Sequence, residues 1–266
     1  MKKLTLRKDR TPVLNRTSNV NGDTIDFGYK TVQRAEKTKL VGNVFNSVAK
    51  SYDLMNDLMS GGIHRLWRMA MIDWMAPQPN HKLIDVAGGT GDISIRFLRA
   101  GGGSAYITDI NHSMINNGRK RSKIGQLKKR LHWSIANAEC MPFSDCSSDF
   151  VTIAFGLRNV TDRQAAIDEA YRVLKPGGRF LCLEFSHVQN DLLKSVYDKW
   201  SFNVLPLMGK MILNDSFSYR YLAESIRAFP SKEMLADMFS RSGFVQIRIR
   251  TLSGGIACIH SGWKLD

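Results

Sequence analysis

The run Leu83-Ile84-Asp85-Val86-Ala87-Gly88-Gly89-Thr90-Gly91-Asp92 constrains this chain more than any other ten residues. A short apolar strand runs into a glycine cluster and a helical pattern starts at once. The end of a parallel strand is thereby left as bare backbone toward a ligand. A second β-rich run, Ala105-Tyr106-Ile107-Thr108, delivers Asp109. A carboxylate at that strand tip is placed to accept hydrogen bonds from both hydroxyls of a ribose. The two features together predict an adenosine-containing ligand at the carboxyl edge of a sheet. A dinucleotide site needs Gly-x-Gly-x-x-Gly, so that a helix N-terminus can approach a pyrophosphate. Counted from Gly89, the third glycine position holds Ser94, and the pattern fails. Asp85 and Asp92 flank the loop, where carboxylates repel a pyrophosphate and suit a cation. S-adenosylmethionine, with its sulfonium and ammonium, is the expected cofactor, with Gly89, Thr90 and Gly91 facing its methionine part.

Along the chain, β and α patterns alternate. Strands are predicted over Lys82–Val86, Ala105–Asp109, His132–Ala136, Phe150–Phe155 and Arg179–Phe185. The last is almost wholly apolar, as a strand covered on both faces should be. The helix before it carries Ile167, Ala170, Tyr171 and Leu174 at helical spacing, with Thr161 and Gln164 as a capping box. Two further strands near Val245–Thr251 and Gly255–Gly262 are expected to close the sheet as an antiparallel hairpin. The expectation is a doubly wound, mostly parallel seven-stranded α/β sheet. Residues 41–266 form its single domain, residues 1–40 a basic mobile tail, and helices over Val41–Met75 a cap over the cofactor cleft.

The chain has 38 lysines and arginines against 24 acidic residues, a formal charge of +14. Two segments concentrate it: residues 1–39, and Arg119, Lys120, Arg121, Lys123, Lys128, Lys129 and Arg130. Such patches suit an anionic membrane surface, a nucleic acid or plain solvent. The aromatic interleaving that single-stranded nucleic acid demands is missing from both. No apolar run is long enough to span a bilayer, and no secretory leader precedes the domain. Cys140, Cys146, Cys182 and Cys258 form no CxxC pair, so neither a metal site nor disulfides are expected, and the setting reads as reducing and cytoplasmic.

Two more loops should meet the ligand. After the third strand, Asn137 or the Ala138 amide is expected at the adenine edge, with Met141 or Phe143 flanking the ring. The fourth strand ends in Ala154-Phe155-Gly156-Leu157-Arg158-Asn159-Val160, beside the cofactor on the acceptor side. Methylases of nucleobase or glutamine amines usually carry Asn-Pro-Pro-aromatic here. This chain offers a guanidinium and a carboxamide, suited to phenolic or quinol oxygens.

Several longer stretches resemble the ubiquinone/menaquinone biosynthesis C-methyltransferases. They are Tyr52–Ser60, Gly62–Trp67, Ala87–Asp92, Asn137–Phe143, Phe155–Asp162, Tyr171–Gly178, Leu183–Ser186 and Ser218–Ile226. The glycine loop and the Pro-Gly-Gly run are shared by many methyltransferases. Phe155–Asp162 and Ser218–Ile226 are far more specific. The resemblance implies cofactor contacts at Thr90, Asp109, Asn137, Ala138 and Ala154, where some members carry a serine. It also implies methyl transfer to a ring carbon of a polyprenylated hydroquinone, a benzoquinol, a demethylmenaquinol or both. In that reaction Arg158 is expected to stabilise a phenolate, Asn159 to orient the second oxygen, and Tyr52 to act as acid/base or stacking partner. His64 and His187 are further proton-acceptor candidates, though each reads first as structural. The apolar stretch Phe202–Leu213 is expected to admit the prenyl tail at the inner membrane surface, with a quinone-synthesis complex or a homodimer as further partners. An RNA methylase and a non-catalytic scaffold are the rival readings.

Overall fold

The computed structural model describes residues 24–48, 56–57, 60–120, 122–188, 195, 197, 200 and 216–266. Chain order among them begins with a hairpin, β1 (Thr24–Phe27) and β2 (Lys30–Gln33), then α1 (Arg34–Val48) and α2 (His64–Met75). The alternation follows: β3 (Lys82–Val86), α3 (Asp92–Arg99), β4 (Ser104–Asp109), α4 (His112–Arg119), β5 (Leu131–Ile135), β6 (Ser148–Ala154), α5 (Arg163–Val173) and β7 (Leu174–Phe185). Helices α6 (Ser216–Ala228) and α7 (Lys232–Arg241) precede β8 (Val245–Leu252) and β9 (Ala257–Trp263). Residues 24–40, expected as part of a mobile tail, instead form the first hairpin and the start of α1. Ile25 and Phe27 alternate with polar residues up to Gly28, a short hairpin signal that the basic composition of the segment hides.

The seven main strands lie in the order β5-β4-β3-β6-β7-β9-β8. Neighbours from β5 to β7 pair parallel, and β9 pairs antiparallel with both β7 and β8. The expected doubly wound sheet with an antiparallel closing hairpin is what forms. Strand order reverses between β3 and β6, and the crevice at such a switch point is where an open α/β sheet receives its ligand.

Period-two alternation explains why the central strands read as continuous apolar runs. Leu83, Leu181 and Leu183 point into a core shared with Trp67 and Met71 of α2 and Phe97 of α3. Ile84, Val86, Phe180 and Cys182 point into the opposite core, against Ile167 and Ala170 of α5 and Phe239 of α7. Helix α5 departs from expectation at its start. Asp162, not Thr161, is its cap, accepting from the Ala165 N–H at 3.0 Å. Gln164 instead donates to Ser242 Oγ at 2.7 Å and the Met238 carbonyl at 3.1 Å, tying α5 to α7.

One polar group sits inside this core. Asp85, on β3, is fully buried and accepts from the Ser94 N–H (3.2 Å), the Ser94 hydroxyl (2.9 Å) and the Thr152 hydroxyl of β6 (2.9 Å). Asp85→Ala is expected to strand those donors and lower stability by about 2–4 kcal/mol. A shift of the urea midpoint at unchanged slope would check this.

Candidate functional site

A cleft opens at the carboxyl ends of β3, β4, β5 and β6. Gly89, Asp109, Asn137, Ala138, Gly156 and Asn159 line it from the sheet side, and Thr38, Val41, Gly42 and Phe45 of α1 line it from the cap. The expectation that helices ahead of the first strand cover the cleft holds for α1. The turn into α3 needs Gly91, at φ +78°, where an added Cβ would stand 2.7 Å from the Trp133 ring. At the switch point two non-glycine residues, Ala87 after β3 and Phe155 after β6, also take positive φ, +49° and +59°. Their loops approach so closely that a Cβ on Gly156 would lie 2.7 Å from that of Ala87. Left-handed backbone at such residues costs of order 1–3 kcal/mol each and collects at functional sites.

Asp109 is the polar centre of the cleft. Its Oδ2 accepts from the Gly89 N–H at 2.9 Å and its Oδ1 from the Asn111 N–H at 2.8 Å. A carboxylate oxygen has a second lone pair, so both oxygens retain an acceptor site for hydroxyls of a bound ribose. Burial pushes its pKa up to about 6, against the pull of those two N–H groups. The cleft fits the expected cofactor at this end. A side chain on Gly89 would run into Met114 Cε at 3.0 Å, so bare backbone borders the space above Asp109.

The other expected residues divide. Asn137 and Ala138 sit at the rim of the cleft, with the Asn137 Oδ1 accepting from the Glu139 N–H at 3.1 Å in a tight turn. Thr90 and Ala154 line a second, smaller cavity on the opposite side of Ala87. Asp85 borders that cavity too, but its oxygens are committed to Ser94 and Thr152, so it acts as a pillar of the loop. Burial raises its pKa to about 6, with the Ser94 and Thr152 bonds opposing.

The Arg158 guanidinium is buried beside Glu184, Nη1 standing 3.0 Å from Oε2, and donates at 2.6 Å to the Phe155 carbonyl, while its Nε has no hydrogen-bond partner among the described residues. An arginine so far from water requires a partner charge, and β7 supplies it. Asn159 does line the cleft: its Oδ1 accepts from the Tyr221 hydroxyl at 3.0 Å, while its Nδ2 is buried without a partner among the described residues. Met141 and Phe143 do not flank the cleft, because Met141 is buried in the α5 core and Phe143 packs edge-on against Tyr106. Ile110 and Met114 take that place. His64 is buried, 2.9 Å from Ser60 Oγ, and burial lowers its pKa to about 4, so it stays neutral. Tyr52 and the stretch Phe202–Leu213 lie outside the described residues.

Sequence reasoning missed how the cleft is held together. Glu139 Oε1 accepts from the Thr161 and Asp162 N–H groups, at 3.1 and 2.9 Å, joining the loops after β5 and β6. Lys37 of α1 is buried and donates to the Val160 carbonyl at 3.2 Å. Glu139 stood inside a recognised stretch, and its acidity was the available signal. Lys37 is invisible among the charges of its segment.

A doubly wound sheet with this strand order, a glycine turn after the first central strand and an acid at the tip of the next defines an S-adenosylmethionine-dependent methyltransferase. The model of the ubiE/COQ5 methyltransferase family matches residues 31–264, and the chain belongs to that family. It is 53% identical over 249 residues to the ubiquinone/menaquinone biosynthesis C-methyltransferase UbiE of Cereibacter sphaeroides, covering 93% of this chain and 100% of that one. With UbiE of Brucella abortus it shares 54% over 243 residues, 90% of each chain. Among solved structures, a methyltransferase from Thermotoga maritima described as a possible histamine N-methyltransferase has a TM-score of 0.61. It shares 19% identity and covers 84% of this chain and 99% of that one. The Haemonchus contortus phosphoethanolamine N-methyltransferase 2, solved with S-adenosyl-L-methionine, has a TM-score of 0.56 at 13% identity, covering 75% of this chain and 52% of that one. These last two likenesses are of fold.

Asp109 yields a pH test. Above its pKa of about 6 the carboxylate accepts from hydroxyls; below it the protonated form loses acceptor capacity. Affinity for S-adenosylhomocysteine should fall by up to about tenfold per pH unit below that point. Calorimetric titration should show Asp109→Asn binding weakly and with no such pH dependence.

Proposed function

We propose that this chain methylates a ring carbon of a polyprenylated hydroquinone, a benzoquinol, a demethylmenaquinol or both, with the adenosine of S-adenosylmethionine seated at Asp109. The name carried by its relatives supports the acceptor class, and Asn159 is the observation that carries the site. The Tyr221 hydroxyl holds the carboxamide oxygen, which fixes the rotamer and leaves Nδ2 as a buried donor with no partner among the described residues. A donor so placed seeks an oxygen from outside the protein.

The chemistry asks for such a donor. A neutral aromatic carbon is a poor nucleophile, and an ionised ring hydroxyl pushes charge onto it; the pKa of a phenol, about 10, must be overcome at neutral pH. When bound, S-adenosylmethionine supplies a methyl group already activated by its sulfonium. Asn159 Nδ2 then donates to a quinol oxygen and favours its ionised form, the hydroxyl proton passing to solvent before the cleft closes; after methyl transfer the ring carbon gives up its own hydrogen as a proton, which restores the aromatic ring and the hydroxyl. Arg158 acts as a positioning residue: its N–H and guanidinium both bond Glu184, setting the turn that carries Asn159. Cap helix α1 closes the cleft, excluding water and holding the reactants in line, an effect worth up to about 7–11 kcal/mol in favourable cases.

Purified protein should label a polyprenylated quinol with radioactive methyl groups and leave total RNA unlabelled; the reverse pattern would favour the RNA reading, and labelling of neither would favour a scaffold. In the same assay Asn159→Ala should lose about hundredfold to thousandfold in kcat, as when one oriented donor is removed. Its affinity for S-adenosylhomocysteine should stay near that of the parent.

The acceptor is an insoluble lipid, and we further propose a peripheral seat on an anionic bilayer. Among the described residues no helix is long and apolar enough to cross a membrane. Ile63, Leu66 and Met69 are 41%, 61% and 49% exposed at i, i+3, i+6 spacing around the start of α2, with exposed Arg65 among them. Arg119, Lys120, Lys128, Lys129 and Arg130 are exposed as well. An apolar helical stripe and exposed basic residues on one protein are the ingredients of interfacial attachment. The protein should float with anionic liposomes in preference to neutral ones, and Leu66→Glu should weaken that flotation; equal flotation with both lipids would refute the seat.

A further inference from the structure

Three arginines share one face of the sheet near the amino ends of the parallel strands, away from the cleft. Arg179 of β7 stands beside Phe150 of β6 and opposite Trp263 of β9. On β8, Arg248 stands opposite Ser261 of β9 and Arg250 opposite Ile259. Opposed residues of an antiparallel pair share a face, as do residues two apart on one strand. All three arginines therefore lie on the side where Ile259 and Leu181 meet α2. Arg179 is only 7% exposed. Its Nε donates to the Ser261 hydroxyl at 2.6 Å and its Nη1 to the Trp74 carbonyl, in the last turn of α2, at 2.7 Å. Its Nη2 bonds no described residue. The Arg179 Cζ lies 4.8 Å from the centre of the Trp74 ring and 4.9 Å from that of Trp263, and the Arg250 Cζ lies 4.6 Å from the same Trp74 ring.

A cation at a helix C-terminus satisfies a carbonyl and the helix dipole, and that accounts for Arg179. It does not account for Arg248 and Arg250. Both are exposed, and none of the three arginines has a carboxylate partner among the described residues. Elsewhere Arg34, Arg65, Arg158, Arg163 and Arg172 each pair with an acid. Asp73, exposed on α2, bonds none of the three. Burial, and then repulsion by Arg250 and Arg248, lowers the Arg179 pKa to about 10. Charges on an edge strand deter pairing with another sheet, but that purpose is served from either face. Here both charges stand on the face that already holds a third.

The complement of three guanidiniums is an anion with several oxygens. A phosphate matches their planar donor forks. The two indoles narrow the source, because an apolar ring with one polar edge suits the boundary between membrane and water. Trp74 also belongs to the helix whose outer face exposes Leu66 and Met69, at 61% and 49%. At about 1.5 Å per residue, Leu66 lies only about 12 Å along the axis from Trp74. A bilayer met by that face brings its headgroups within reach of the arginines.

We propose that Arg179, Arg248 and Arg250 bind the phosphate of an anionic phospholipid headgroup beside Trp74 and Trp263. The site rests on the bilayer seat of α2, and the two can fail separately. The double variant Arg248→Gln/Arg250→Gln changes two exposed side chains and leaves the Arg179 brace in place. Its partition onto phosphatidylglycerol vesicles in a flotation assay should fall about thirtyfold, the value of two cations at an anionic surface. Lys30→Gln/Arg241→Gln removes the same charge from exposed positions elsewhere, beyond the screening length, and should stay within about threefold of the parent. Equal losses in the two double variants, or no loss in the first, would overturn the site and leave the seat standing. A parent that floats equally with neutral vesicles would overturn both. The indole N–H signal missing from Trp74→Phe identifies Trp74 in the nuclear magnetic resonance spectrum. Short-chain phosphatidylglycerol below its micelle concentration should shift that signal in the parent and not in Arg248→Gln/Arg250→Gln. Inorganic phosphate at the same concentration should shift it less; an equal or larger shift would assign the site to the free ion and overturn the lipid.

Discussion

A single buried carboxylate organises the centre of this molecule. Asp85 lies between β3 and β6, the two strands at the switch point, and it faces Ser94 one turn into α3. Its bond to Thr152 links the two central strands, and its bonds to Ser94 tie α3 back to β3. The glycine turn spans the interval between Asp85 and Ser94, so its path is set from both ends. That the same group resists ionisation up to about pH 6 follows from burial outweighing three hydrogen bonds. Compared with an ordinary carboxylate, its ionised form is disfavoured in the folded protein. The group therefore subtracts stability as pH rises from the ordinary carboxylate range through about 6. The fold tolerates this because an apolar replacement would leave the Ser94 and Thr152 donors without acceptors.

Given that fixed loop, the remaining walls of the cleft are made by groups that bind one another across long stretches of chain. Asp26 of the first hairpin pairs with Arg163, and Arg34 with Asp162, both at the start of α5. Lys37 reaches Val160, and Asn111, just past Asp109, donates to Asn46 of α1 at 2.9 Å. The cap is thus bonded to the loops after β4 and β6. The partly exposed pairs contribute little each. Lys37 differs, because burial lowers its pKa to about 8, against the pull of Asp26. Opening α1 would rehydrate that ammonium, which makes the buried lysine a modest bias toward opening.

What was legible in the sequence follows from the range of each interaction. The parallel sheet, the glycine turn and Asp109 are local patterns, in which an apolar run, a turn and a strand tip suffice. The ordered hairpin at Thr24–Gln33 was not legible, because its stability comes from elsewhere. Phe27 stacks on Tyr221 at 4.3 Å, and Glu224 accepts from the Tyr29 N–H. The same cause hides the partner of Arg158: a guanidinium after a central strand reads as a ligand contact, and only the tertiary fold shows Glu184 of the next strand beside it. Ser94 was read only as the residue that breaks a dinucleotide motif, whereas its positive role, holding Asp85, needed the tertiary contact.

The two family-specific stretches, Phe155–Asp162 and Ser218–Ile226, acquire a joint meaning. They meet where the Tyr221 hydroxyl bonds Asn159, and the Tyr221 ring lies against Phe27 in the small core beneath α1. Burial pushes the Tyr221 phenol above its usual range, so the hydroxyl remains a donor and the Asn159 oxygen remains its acceptor. On the other side of the same turn, the Arg158–Glu184 pair excludes alternative placements, since separating its members would leave an unpaired buried charge at a cost of about 3–5 kcal/mol. Asn159 is therefore held from both sides, by a phenol that does not ionise and by an ion pair that does not part. Neither group has to touch the acceptor. A glycine turn and an acid at the next strand tip are general features of the fold; what distinguishes this cleft is the way a neutral amide is fixed beside it with one donor unmet among the described residues.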